Sequence, residues 1–174
     1  MRIDGFVVMP NFSFSNAIMV YTGQNMGAGK MGRINEGTKQ CAVMSVGTSL
    51  VIVAAILIFG RHLAALFTNT EEIIEMSMRM LRILAAGYVT FAFGNVLWGV
   101  IRGAGDTITP MWASVINVVF IRVPMAYLLV YLMKQPEALM YALLIAWTSN
   151  AALAFIAYRI GKWRTKGIVR MPGG

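Results

Sequence analysis

Leu50-Val51-Ile52-Val53-Ala54-Ala55-Ile56-Leu57-Ile58-Phe59 is apolar at every position. A membrane barrel strand of about ten residues alternates between lipid-facing and lumen-facing side chains, so an unbroken apolar run argues against it. No residue between Lys39 and Arg61 carries a charge. About 20 such residues cross the ~30 Å of bilayer hydrocarbon at 1.5 Å per residue. The stretch predicts a transmembrane α-helix.

Working outward, five apolar segments follow: about 5–27, 37–67, 72–102, 108–133 and 138–161. Local chemistry marks their ends. Gly27-Ala28-Gly29 closes the first, and Asn69-Thr70-Glu71-Glu72 supplies an N-cap and first-turn acids suited to a helix dipole. Asp106-Thr107 with Pro110 opens the fourth, and Pro136-Glu137 opens the fifth. Links this short join neighbours as antiparallel hairpins and leave no room for a second domain. The expected fold is all-α, a single membrane domain over 1–174 forming a polytopic bundle of about five transmembrane helices.

Composition agrees. The chain is 58% hydrophobic and 13% charged, which excludes an ordinary water-soluble domain. Its net charge of +8 does not point to nucleic acid, because the basic residues lie between apolar runs and near the C-terminus and form no patch interleaved with aromatics. One cysteine, Cys41, excludes an internal disulfide, and one histidine, His62, leaves no metal cluster. The start, Met1-Arg2-Ile3-Asp4, lacks a signal-peptide pattern, so the first helix is expected to be retained.

Counting basic residues on each side sets an expected orientation. Lys30, Arg33, Lys39, Arg102, Arg159, Lys162, Arg164, Lys166 and Arg170 fall on one side, and Arg2, Arg61, Arg79, Arg82 and Lys134 on the other. The richer side is expected to be cytoplasmic. That places the C-terminus in the cytoplasm and, after five crossings, the N-terminus outside; the membrane expected is the plasma membrane. Such a start suggests that upstream helices are missing.

The loop Gly23-Gln24-Asn25-Met26-Gly27-Ala28-Gly29-Lys30 invites a phosphate-loop reading and fails it. A P-loop requires glycine five residues after Gly23 and a hydroxyl after the lysine, whereas Ala28 and Met31 stand there. Gly23 and Gly27 instead form a small-xxx-small pair allowing close helix approach. Gly99 and Gly103 repeat the spacing. In the turn that follows, Ala104-Gly105-Asp106-Thr107, glycine can adopt positive φ and Asp106 can cap the next helix.

These two motifs resemble those of the multidrug and toxic compound extrusion (MATE) transporters. Gly23 to Lys30 is similar to the segment after the second helix of each six-helix half. Arg102-Gly103-Ala104-Gly105-Asp106-Thr107 with Pro110-Met111 is similar to the link between the fourth and fifth helices of a half. The resemblance covers about residues 5–165 and implies helices eight to twelve of a twelve-helix exporter. It also implies a missing N-terminal half as partner, since the family's transport path lies between two pseudo-symmetric halves.

Polar side chains inside the membrane are the best local evidence of function. Arg122, near the middle of the fourth segment, costs about 2.5–3.5 kcal/mol on insertion scales. Pro124 cannot donate to the Phe120 carbonyl, which can then accept from Arg122, with Asn117 nearby. Alternatively Arg122 faces a cavity and affects proton or substrate movement. In the first segment Asn11, Ser15 and Thr22 share a helical face that either bonds neighbouring helices or lines a cavity. Asn95 and Asn150 carry the same two readings. Trp98, Trp112 and Trp147 can supply aromatic walls, Trp163 an interfacial anchor, and the 14 methionines either lipid-facing packing or a plastic ligand surface. Glu75 can pair with Arg79 one turn on.

The substrate-cavity candidates are thus Asn11, Ser15, Asn95, Trp98, Asn117, Arg122 and Asn150. The structural loop motifs are Gly23, Gln24, Gly27, Gly29, Arg102, Gly103, Gly105, Asp106 and Pro110. The resemblance implies efflux of small hydrophobic or cationic xenobiotics by proton or sodium antiport, with no cofactor beyond that coupling ion. No acid lies mid-membrane, so the coupling carboxylates are expected on the missing helices. The alternative is a small assembly or regulatory subunit, or a truncated remnant without transport of its own. A membrane enzyme has no triad, carboxylate pair or histidine cluster to rest on.

Overall fold

The computed structural model describes residues 4–65 and 70–165, with side chains for all of these except 4, 6, 7 and 63. The long helices are α1 (Asp4–Gly27), α2 (Met31–Ala65), α3 (Glu71–Gly103) and α6 (Ala138–Ile160). Between α3 and α6 runs one continuous helical rod: α4 (Ile108–Ile116), a π-helical turn (Asn117–Arg122) and α5 (Val123–Met133). A 3₁₀ turn, Lys162–Thr165, follows α6.

Four spans are long and apolar enough to cross a membrane: Met31–His62, Glu71–Gly103, Ile108–Met133 and Ala138–Ile160. With 24 residues, α1 is about 36 Å long and has the length of a span. Its hydropathy is lowered by Asn11, Ser13, Ser15, Asn16 and Thr22. Three of these, Asn11, Ser15 and Thr22, are buried within the bundle. The chain is thus an integral membrane helix bundle in which α1 turns its polar stripe onto its neighbours.

Helix ends follow the local chemistry. Gly29 adopts φ +67° and ends the α1–α2 turn, where Lys30 N–H donates to Asn25 O at 2.8 Å. Gly105 adopts φ +89° after α3. Asp106 then caps α4 with both carboxylate oxygens: Oδ1 accepts the Thr109 N–H at 3.1 Å, and Oδ2 accepts its hydroxyl at 2.7 Å. Helix α2 starts at Met31, ahead of the apolar stretch expected from residue 37, because nothing between Gly29 and Gly37 breaks the helix.

The third helix is the axis. It packs on α1, α2 and α6, and more than half of its most apolar window is buried. One end of the core gathers Val96, Trp98, Val100 and Ile101 of α3 with Ile18, Ile34, Ala154 and Trp163. The other gathers Leu81, Leu84 and Tyr88 with Val53 and Ile56 of α2. By contrast, α4 and α5 bury no side chain. With the π turn between them they lean on α6, and the rod exposes Trp112, Phe120, Tyr127 and Tyr131.

Candidate functional site

Small residues set the distances at which polar groups meet. A Cβ on Gly99 would stand 2.5 Å from the Ser15 carbonyl oxygen, and one on Gly103 would strike the Met19 carbonyl. Helix α1 therefore lies backbone-to-backbone on α3, the close approach that small-xxx-small spacing permits. Gly23 shares this seam, since its Cβ would come 3.3 Å from the Gly103 carbonyl oxygen. Gly27 does not: a Cβ there meets nothing within 4 Å, so the glycine lies at the helix end and not in a contact.

Close approach brings together a polar seam. Asn11 Oδ1 accepts from the Ser45 hydroxyl at 3.1 Å and the Ser49 hydroxyl at 3.0 Å, all three side chains being buried. The Ser15 hydroxyl donates to the Asn95 backbone carbonyl at 2.7 Å and accepts from Arg102 Nη2 at 2.9 Å. Asn95 Nδ2 donates within its own helix to Phe91 O at 3.0 Å. Beside them Arg102 Nε and Thr22 Oγ1 are buried with no hydrogen-bond partner among the described residues. Buried groups of this kind ordinarily find a protein or water partner.

Two further contacts tie α6 to the axis and to the kinked rod. Trp98 Nε1 donates to Asn150 Oδ1 at 3.3 Å. Asn117 Nδ2 donates to the Ala146 carbonyl at 3.1 Å from a buried position. Asn117 opens the π turn, and the Val123 N–H that closes it reaches five residues back to Val118 O. Pro124 lacks the N–H that Phe120 O would receive in a regular α-helix, which favours this wider turn.

The seven cavity candidates therefore do not converge on one chamber. Asn11, Ser15 and Asn95 lie on the seams of α1 with α2 and α3, Trp98 and Asn150 between α3 and α6, and Asn117 between the π turn and α6. Arg122 stands apart, exposed on the kinked rod with no hydrogen bond or ion pair to the described residues, and not to the Phe120 carbonyl.

Sequence reasoning missed Ser45 and Ser49, whose i,i+4 spacing within an apolar helix was the available signal. It read Arg102 only as part of a turn, though its side chain reaches back to Ser15. Arg79 pairs not with Glu75 but with Glu137, Nε to Oε1 at 3.4 Å. Trp163, just beyond the end of α6, is buried against protein: it stacks on Tyr158 with ring centroids 5.3 Å apart, and the Arg164 guanidinium lies over its ring at 5.3 Å from the centroid.

The sequence model of the MatE family matches residues 1–128. The chain is 25% identical to the probable multidrug resistance protein NorM of Thermotoga maritima, an alignment covering 97% of this chain and 36% of that protein. It is 21% identical to the probable multidrug resistance protein YoeA of Bacillus subtilis, over 98% of this chain and 37% of that one. The human multidrug and toxin extrusion protein 2 is 26% identical over 83% of this chain and 24% of its own length. Among solved structures, the eukaryotic MATE transporter AtDTX14 superposes with a TM-score of 0.85 at 18% identity, over 95% of this chain and 37% of that one. The chain thus spans about a third of the length of the first two curated relatives.

Proposed function

This chain belongs to the MatE family, and from that membership we propose that it forms the C-terminal part of a secondary exporter of small hydrophobic or cationic compounds. The observation that carries the reading is the family match over residues 1–128, supported by relatives named as multidrug resistance proteins. Export would proceed by proton or sodium antiport across the plasma membrane, with the C-terminus cytoplasmic and α1 as a fifth crossing. The missing N-terminal half would complete the path, the two halves rocking about a site near the midplane.

The bundle's own residues suit a supporting role in this process. Helix α3, held by glycine seams to α1 and by Trp98 and Asn150 to α6, would serve as the axis of a unit that moves as one body. The acids of the described residues sit at helix ends or links: Asp4 opens α1, Glu36 lies in the second turn of α2, Glu71, Glu72 and Glu75 lie in the first turns of α3, Asp106 caps α4 and Glu137 precedes α6. This distribution supports placing the coupling carboxylates on helices outside the chain. The exposed Arg122 supports a rod surface that meets protein or water in the assembled transporter, because an arginine at mid-span is costly against lipid.

The test is ethidium efflux from cells lacking their own exporters. The chain would be expressed alone and with the N-terminal half of a MATE transporter, under separately imposed sodium and proton gradients. The proposal expects gradient-driven efflux from the combination and none from the chain alone. Efflux by neither would leave the subunit reading in its place.

A further inference from the structure

Two adjoining hollows open on the α1–α2 face, of about 340 and 460 Å³, and both are lined by Gln40 and Met44. Each falls in the ~300–1,000 Å³ range of small-ligand sites. None of the seven cavity candidates lines either. The first hollow is walled by Phe14, Ala17 and Ile18 of α1. The second is rimmed by Glu36 and Lys39 of α2. The shape of the first depends on Gly37, because the Tyr21 ring rests where a Cβ would be, its hydroxyl donating to the Arg33 carbonyl at 3.3 Å.

The depth of this groove is fixed by composition. From Cys41 to Gly60 the helix carries no charge, and that length matches the ~30 Å hydrocarbon layer. Lys39 and Gln40 therefore stand at the edge of the hydrocarbon, at the level of lipid phosphates. Phe14 and Met44 lie on its apolar side, since Cys41 Sγ donates to Phe14 O across the helix pair at 3.6 Å. Arg33, Gly37, Gln40 and Met44 fall on one stripe of α2 at helical spacing, so a second cation sits one turn outward of the groove. Lys30, Arg33 and Lys39 are exposed and make no ion pair among the described residues, and they outnumber the single carboxylate, Glu36.

We propose that the α1–α2 groove binds one anionic phospholipid. Its phosphate meets Lys39 and the Gln40 amide, with Arg33 farther out, and one acyl chain lies over Phe14, Ala17 and Ile18 toward Met44. The interhelical hollow itself is uncharged, and Lys30, Arg33 and Lys39 flank it at headgroup depth, an excess of cations that favours anionic over zwitterionic lipid. This assignment needs no transport activity, but it requires the groove to stay uncovered beside the N-terminal half of the proposed function.

Cys41, the only cysteine, lines the groove and reports its occupancy. The full chain, purified in detergent, would be titrated with phosphatidylglycerol, phosphatidylcholine or inorganic phosphate while the rate of Cys41 alkylation by N-ethylmaleimide is followed. Phosphatidylglycerol is expected to slow alkylation at concentrations where the other two do not. Lys39→Gln, at an exposed position, should weaken that protection about fivefold, the worth of one lysine near an anionic surface. Ala17→Trp, also at an exposed position, should fill the groove and remove the lipid dependence. Equal protection by phosphatidylcholine, protection by phosphate alone, or insensitivity to both substitutions would overturn the proposal. So would protection of Cys41 by a co-expressed N-terminal half without any lipid dependence, which would assign the groove to protein.

Discussion

Asn11 holds two hydroxyls at once, and its removal tests whether the α1 seam is structural. In Asn11→Ala, Ser45 and Ser49 lose their shared acceptor but can turn back to carbonyls one turn earlier on α2, as serine does within helices. The expected loss is therefore modest, about 1 kcal/mol, measured by reversible denaturation in mixed micelles. Ser15→Ala should cost more, about 1–3 kcal/mol, because it leaves the Arg102 guanidinium without the acceptor its Nη2 uses. Arg122 predicts the opposite sign. Since it is exposed and unpaired among the described residues, Arg122→Leu in the isolated 108–133 segment should ease translocon insertion by about 3 kcal/mol, read from a glycosylation reporter.

At the scale of helices, Gly27 separates from Gly23, Gly99 and Gly103, which form the α1–α3 seam. Gly103→Leu drives a side chain into the Met19 carbonyl and should destabilise the bundle by more than about 2 kcal/mol, whereas Gly27→Ala meets open space and should change stability by less than about 0.5 kcal/mol. Thermal unfolding of the two variants in one detergent distinguishes them. Helix ends were legible in the sequence because they are local: Gly29 and Gly105 take positive φ and Asp106 caps its own helix. The partners were not. Arg79 chose Glu137 of a distant link over Glu75 on its own helix, and Trp163 went into the core, because these choices depend on which helices meet. The π turn lies between, announced by Pro124 but anchored by Asn117 on the Ala146 carbonyl.

For the whole molecule, the hydrophobic runs made the helical membrane fold readable, while the arrangement about α3 came from the spacing of small residues that only a packed structure resolves. The candidate site was legible as a set of residue types and illegible as a place, since its members divide among separate seams. The least obvious consequence concerns α1, whose apolar run is interrupted by polar residues yet is long enough to cross beside α2 and α3 with Asn11, Ser15 and Thr22 turned inward. The measurement that tests this most directly is sidedness mapping. Single cysteines at Ala28, Thr70, Thr107 and Gln135 in a Cys41→Ala background, together with a tag at each terminus, would be probed with a membrane-impermeant maleimide from either face of sealed vesicles. Five crossings predict that Ala28, Thr107 and the C-terminus report from one side, and the N-terminus, Thr70 and Gln135 from the other. An N-terminus on the same side as Ala28 would contradict the account, because α1 would then not cross.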